Sequence, residues 1–193
     1  MAIEYKNYKG NPQGVVLVTS TGVEVTTFGG QATEVHLGQV GGHKTIIAVT
    51  PAITAGLYHA GDSIGGIQTI TGAMRITAGS GILQSIYLID KGAQKAPLEI
   101  NIYSSNPAAA TITDNAAFVW STDIAKLVAQ LSIGTADYGP TINGISIARL
   151  RNLGIPVAAV GSANLFASVI TTVSPPTYAT TSDLIFGYRF IPD

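Results

Sequence analysis

Gly41 to Thr45 reads GGHKT, and glycines beside a lysine and a hydroxyl are the parts of a loop that cradles phosphate. That loop needs Gly, Lys and Ser or Thr in succession at the start of a helix. Here His43 intervenes and a β-branched run comes next, so turn glycines of a β protein explain the segment better. Gly144 to Ala148 reads GISIA, which has the glycine and serine of a nucleophile elbow but ends in alanine within a strand pattern. His36, His43 and His59 all precede it. The Ser, acid, His order of α/β-hydrolases is therefore impossible, although other triad orders stay open. Glu34, His36 and His43 are of the types that ligate zinc, in a spacing that fits no named ligand pattern; polar residues of an arm are the simpler reading. Asp114-Asn115 and Ser105-Asn106-Pro107 read as turn and cap formers, since a calcium ion would need more oxygens than they offer. Trp120, Tyr58, Tyr138 and Tyr178 could form a sugar-stacking platform, but aromatics of a core or an interface are favoured. No catalytic residue, cofactor or metal ligand is assigned from these residues, and an enzyme is not expected.

The elements that would position these residues are strands. The organising stretch is Gly81 to Pro107, which reads as two adjacent strands joined by a charged loop. In its second arm Leu98, Ile100 and Ile102 alternate with Glu99, Asn101 and Tyr103, the period of two that places one row on a core and the other toward water. In its first arm Ile82, Ile86 and Leu88 are expected to point one way and Leu83, Tyr87 and Ile89 the other. That strand is apolar on both faces, and both must be covered. One face can meet a second sheet of the same domain. The other needs another part of the chain or another subunit.

Around this hairpin the chain of 193 residues suits one well-buried β domain. Residues 1–42 differ from the rest of the chain: a β-prone piece at Val15 to Ser20, a turn at Thr21-Gly22, a piece at Val23 to Thr27, then a run with glycines at 29, 30, 38, 41 and 42. Those glycines make the run costly to order by itself, which marks it as an arm or linker fixed by lying on something else. From residue 43 to 193 the β signal is dense: KTIIAVT, the turn-interrupted ITAGLYHAGDSIGGIQTI, AMRI, the hairpin, then Ile142 to Leu150, Ile155 to Val160, Leu165 to Val173 and Leu184 to Ile191. In the last, Leu184, Phe186, Tyr188 and Phe190 form one aromatic-rich face. One short helix is expected in STDIAKLVAQL, where Ile124, Leu127, Val128 and Leu131 fall at helical spacing behind Ser121 or Thr122 as cap. Short strands, Gly and Pro turns and a single helix predict an all-β sandwich of jelly-roll type with an N-terminal arm.

Composition narrows the function classes. The charged fraction is 11%, against roughly 25% in an ordinary soluble domain. Net charge is -1 with a pI near 6.3, so no basic field across the whole chain draws in nucleic acid or an anionic membrane, and neither is an expected partner. The absence of cysteine removes disulfides and thiolate chemistry. MAIEYKNYKGNPQG has no apolar stretch behind a basic start, so it reads as no secretory signal. Ile155 to Val173 is uncharged but carries Pro156, Asn164 and several hydroxyls; two strands around a turn at Gly161 to Ala163 fit it better than a spanning helix.

The ordered set YHAGDSIGG (Tyr58 to Gly66), the hairpin through SSNP, TDNAAFVWSTDIAKL (Thr113 to Leu127) and PPTYATTSDLIFGYRF (Pro175 to Phe190) resembles a family of small structural proteins of tailed bacteriophages, from about Gly38 to the C-terminus. The resemblance implies a non-enzymatic virion protein, a capsid decoration or cement protein or another head-associated component, located on the particle. Its implied partners are copies of itself, with a trimer favoured, and the major capsid protein or another virion protein. The expected partner contacts are Phe28, Val35 and Leu37 on the arm and Leu83, Tyr87 and Ile89 on the two-sided strand. The alternative is a receptor- or carbohydrate-binding module of a tail fibre that uses exposed aromatics.

Overall fold

The structure is a computed structural model that describes residues 4–6, 16–18, 45–108, 112–120, 122–173 and 175–192. The chain divides into two units, Met1–Gly41 and Gly42–Asp193. In the first, strands β1 (Glu4–Lys6) and β2 (Val16–Val18) pair antiparallel. The rest of the expected arm, with Phe28, Glu34, Val35, His36 and Leu37, lies outside the described residues, as does His43.

The second unit is all β. Its strands are β3 (Thr45–Val49), β4 (Gly56–Leu57), β5 (Gln68–Ile70), β6 (Ser80–Asp90), β7 (Leu98–Tyr103), β8 (Leu127–Ile133), β9 (Ser146–Leu150), β10 (Ile155–Ala158), β11 (Leu165–Thr171), β12 (Thr177–Tyr178) and β13 (Leu184–Pro192). The larger sheet runs β10-β6-β13-β3, with β9 also on β6; the smaller runs β5-β11-β7-β8, and β4 pairs with β12. Each of these strand pairings is antiparallel. The two sheets make a sandwich whose core joins Ile86, Leu88, Leu184, Phe186, Tyr188 and Phe190 of the larger sheet to Leu98, Ile100, Ile102, Leu165, Ala167 and Val169 of the smaller. The aromatic face expected on the last strand is thus the inner face of β13. The turn at 161–163 also stands, between β10 and β11. No helix among the described residues is long and apolar enough to cross a membrane.

Three local expectations are corrected. The helix over 121–131 is a five-residue 3-10 turn, Thr122–Lys126, held by an Asp123 to Lys126 ion pair at 2.6 Å, after which Leu127–Ile133 is strand β8. An isolated helix that short is marginal, whereas β7 offers a full edge, and β8 pairs along it from Leu98 to Tyr103. Ala73 to Ile76 is irregular chain rather than strand, with Ala73 and Met74 buried and the Met74 N–H donated to the Ala163 carbonyl. In β7 the row expected to face water is covered at its centre. Asn101 and Tyr103 are buried, and Ser168 Oγ lies 3.1 Å from Tyr103 Oη and 3.5 Å from the Asn101 amide nitrogen.

The fourth correction changes what β6 presents. Leu83 is fully buried (0% exposed) and Ile82 points outward (38%), the reverse of the expected phase. Phe190 pairs with Leu83 but Arg189 pairs with Ser85, so Gln84 is an extra residue in the ladder. Such a bulge inverts the alternation: inward positions are Gly81 and Leu83 before it and Ile86, Leu88 and Asp90 after it. The Gln84 carbonyl accepts the Leu153 N–H at 3.0 Å. The bulge thus sits where β9, paired with Ile86 to Asp90, hands over to β10, paired with Ser80 to Leu83.

Loops are tied by carboxylates. Asp114 accepts four hydrogen bonds: Oδ2 from the Thr54 N–H (2.7 Å) and hydroxyl (2.6 Å), Oδ1 from the buried Tyr58 hydroxyl (2.7 Å) and the Gly65 N–H (2.6 Å). Gly65 is required there, since its φ is +73° and a Cβ would run into Pro51. Asp114 is thus a long-range knot as well as a turn former. Asp90 and Asp183 tie the loops where β6 ends and β13 begins. Burial raises the Asp90 pKa, against the amides of Lys95, Gly92 and Gln94 and with help from the Asp183 charge. Burial pushes Asp183 up as well, but the Thr180 hydroxyl, the Thr180 and Ala179 amides and the Lys91 charge outweigh it and hold its pKa below the ordinary value.

Replacing Asp114 by Ala leaves several donors without an acceptor and should cost about 2–4 kcal/mol, seen as a thermal midpoint lowered by roughly 5–15 °C. Glu99→Gln, at a half-buried position bonded to Gln130, should shift stability by no more than about 0.5 kcal/mol. Asp90 binds its proton more tightly when folded, so its ionised form weighs against folding near neutrality and that penalty fades as pH falls through its raised pKa. Asp90→Asn is therefore expected to be the more stable protein at pH 7, with the gap to wild type closing on acidification. A gap that widens instead would overturn the assignment. Asp183 acts in the opposite sense: its stabilisation is present above the ordinary carboxylate pKa and lost as pH falls through the depressed one, which Asp183→Asn should abolish.

Candidate functional site

The outward face of the larger sheet holds a groove of about 560 Å³. Register assembles it row by row. Ile147 of β9, Ile89 of β6 and Ile185 of β13 align as one row, and Arg149, Tyr87, Gly187 and Ala48 as the next. Ser85, Arg189 and Ile46 form a third across β6, β13 and β3. Arg151 and Ile191 complete its rim. The floor is aliphatic with one tyrosine, and Ile46 is 56% exposed. The cations are all arginine, with no lysine and no carboxylate among the lining residues.

Tyr87 is placed by a missing side chain. A Cβ built on Gly187 would fall inside the Tyr87 ring, so the phenol lies across the β13 backbone where the glycine leaves room. An aromatic covering a cross-strand glycine restores packing that the glycine lacks. Arg149 is the cross-strand partner of Tyr87, and Arg189 lies one row away on the opposite neighbour of β6. Two strand spacings crosswise and one row lengthwise set their Cα atoms roughly 12 Å apart. Both side chains are exposed, and among the described residues neither forms an ion pair.

Of the residues expected at a partner contact, Tyr87 and Ile89 line this groove, both half-buried. Leu83 does not; the bulge turns it into the core, and Ile82 takes the outward place. Arg149, Arg151 and Arg189 were missed by sequence reasoning. Arg149 and Arg189 belong to different strands and meet only through the register of β6, which no local pattern displays. The available signal was Arg149-Leu150-Arg151, a cation at alternate positions of a strand-like segment.

The chemistry-bearing residues fall elsewhere. Ser146 is fully buried within β9, and its cross-strand partner is the buried Asp90. His59 is exposed, its side chain 76% accessible, with Nδ1 3.5 Å from Asp62. Among the described residues no three His, Cys, Asp or Glu side chains gather as metal ligands. Tyr58, Tyr138 and Tyr178 are core residues: Tyr58 and Tyr178 meet edge to face at 5.8 Å, and Tyr138 donates its hydroxyl to the Ala96 carbonyl at 2.8 Å. Burial raises the pKa of all three phenols. Trp120 alone of that set is exposed (41%), edge-on to Phe118 at 4.9 Å.

Gly187→Ala should displace the Tyr87 ring and cost about 1–3 kcal/mol through overpacking. The double variant with Tyr87→Ala should recover part of that loss, because the added methyl then has space, and the coupling read from a double-mutant cycle checks it. Compared with protein-family models, with curated proteins and with solved structures, this chain matches none.

Proposed function

We propose that this chain is a non-enzymatic structural protein of a tailed-bacteriophage particle, a capsid decoration or head-associated protein. It associates with copies of itself, with a trimer favoured, and docks on the major capsid protein or another virion protein. The observation that carries this reading is the outward face of the larger sheet. Ile147, Ile89 and Ile185 lie there side by side, with Tyr87 in the next row and Ile46 beside Arg189 in the third, and an apolar surface edged by polar groups favours a protein partner over water. The chain's low charge and its resemblance to phage structural proteins point the same way.

We read the sandwich as a jelly roll. In support, the chain crosses repeatedly between the two antiparallel sheets, from β5 to β6, β6 to β7, β8 to β9 and β10 to β11, as a double-sheet jelly roll requires. That architecture occurs in viral capsid domains and also in lectins and cupins, so at the level of fold it is an analogy, and the docking face carries the weight. A tail-fibre glycan module would have only Trp120, of the set with Tyr58, Tyr138 and Tyr178, to offer as an exposed stacking surface.

Sedimentation and light scattering of the purified chain at micromolar concentration should show a stable oligomer. Quantitative mass spectrometry of the particle should show many copies, as a lattice repeat requires. A stable monomer present in only a few copies would sink the decoration reading, and glycan binding abolished by Trp120→Ala without loss of folding would put the tail-fibre module in its place.

A further inference from the structure

The carboxylates described in the second unit are tied into the fold. Asp62, Asp90, Asp123 and Asp183 are buried, and Asp114 carries four hydrogen bonds. Glu99 accepts the Gln130 amide at 2.8 Å, and Asp137 closes its own turn on the Gly134 N–H at 2.8 Å. Nothing anionic is left over among these residues to answer Arg149, Arg151 and Arg189, which stand together at the rim of an aliphatic groove. Desolvated or partly desolvated arginines are stabilised when a planar carboxylate meets them in a two-point bond.

We propose that this groove is a docking site for an extended, carboxylate-bearing segment of a different protein, its acidic side chains on Arg149 and Arg189 and its aliphatic ones on Ile89, Ile147 and Tyr87. The inference rests on the reading of the chain as an assembly component and names the chemistry of its partner. Charge selects the occupant. A second copy laid face to face on this groove would set arginine against arginine, and the described residues of another face offer no exposed acidic cluster in exchange. A nucleic acid would find cations and a few polar groups, but Ile46, Ile89 and Ile147 between them offer its sugars and phosphates no hydrogen bond. An interface centre rich in arginine, tyrosine and aliphatics and free of lysine is typical of protein recognition.

The test uses the full chain and synthetic probes: an acetylated peptide of alternating isoleucine and glutamate, the same peptide with lysine for glutamate, and a short DNA duplex. Fluorescence anisotropy should show binding of the acidic peptide that weakens as salt is raised, with neither of the other probes bound. Arg149→Gln combined with Arg189→Gln should reduce its affinity by roughly tenfold or more, with an unchanged thermal midpoint because both side chains are exposed. Equal binding of the lysine peptide, preference for the duplex, indifference to the arginine substitutions or no binding of any probe would each overturn the proposal. The two readings separate cleanly. An oligomer that ignores the acidic peptide sinks this inference alone, whereas a stable monomer of low copy number that binds it sinks the decoration reading and leaves the acidic partner standing.

Discussion

Strand β6 has to satisfy two surfaces at once, and the rest of the unit is arranged around that constraint. It is the longest strand, Ser80–Asp90, and along its length it pairs with β13 on one edge and with β10 and then β9 on the other. An uninterrupted alternation would send Ile82 into the core and Leu83 out. The extra residue at Gln84 inverts the phase midway, so that Leu83, Ile86 and Leu88 all face inward. Beyond the bulge Ser85, Tyr87 and Ile89 keep the outward places by plain alternation, and before it Ile82 takes the outward place that Leu83 would otherwise hold. Core packing and the outer surface are therefore two results of one irregularity in the ladder.

Long-range polar ties keep the connecting loops in place around this spine. Asp114 gathers Thr54, Tyr58 and Gly65 across a large sequence separation, and the backbone of 61–64 runs beside both 114–118 and 169–171. Asp90 and Asp183 fasten the loops where β6 ends and β13 begins. Such bonds are expensive to leave unmade, which gives loops poor in regular structure a defined course. Tyrosines do related work inside the core, where the Tyr58 and Tyr138 hydroxyls reach a carboxylate and a carbonyl.

Much of this architecture is legible in the residues. The alternation of Leu98, Ile100 and Ile102, the aromatic face Leu184 to Phe190 and the turn at Gly161 are local signals, and each stands in the structure. What cannot be read locally is decided by pairing. The helical spacing of Ile124, Leu127, Val128 and Leu131 spans too few residues to separate a helix from a strand, and the free edge of β7 decides for the strand. The bulge at Gln84 leaves no mark in composition, so the outward face was assigned with Leu83 in place of Ile82. The groove is less legible still, because its arginines come from strands far apart in sequence. Tyr58, Tyr138 and Tyr178 lie in the core, in keeping with the favoured reading of them as core or interface aromatics.

The inward commitment of the acidic side chains has an electrical consequence. A chain whose formal charges nearly cancel is not a neutral object to something approaching it, because the carboxylates described in its second unit are held within the fold or tied to its loops while Arg149, Arg151 and Arg189 project from one face. The second unit is therefore polarised, with a field that can turn it before it touches. Its isoelectric point, an average over every group, says little about which way it will face on arrival.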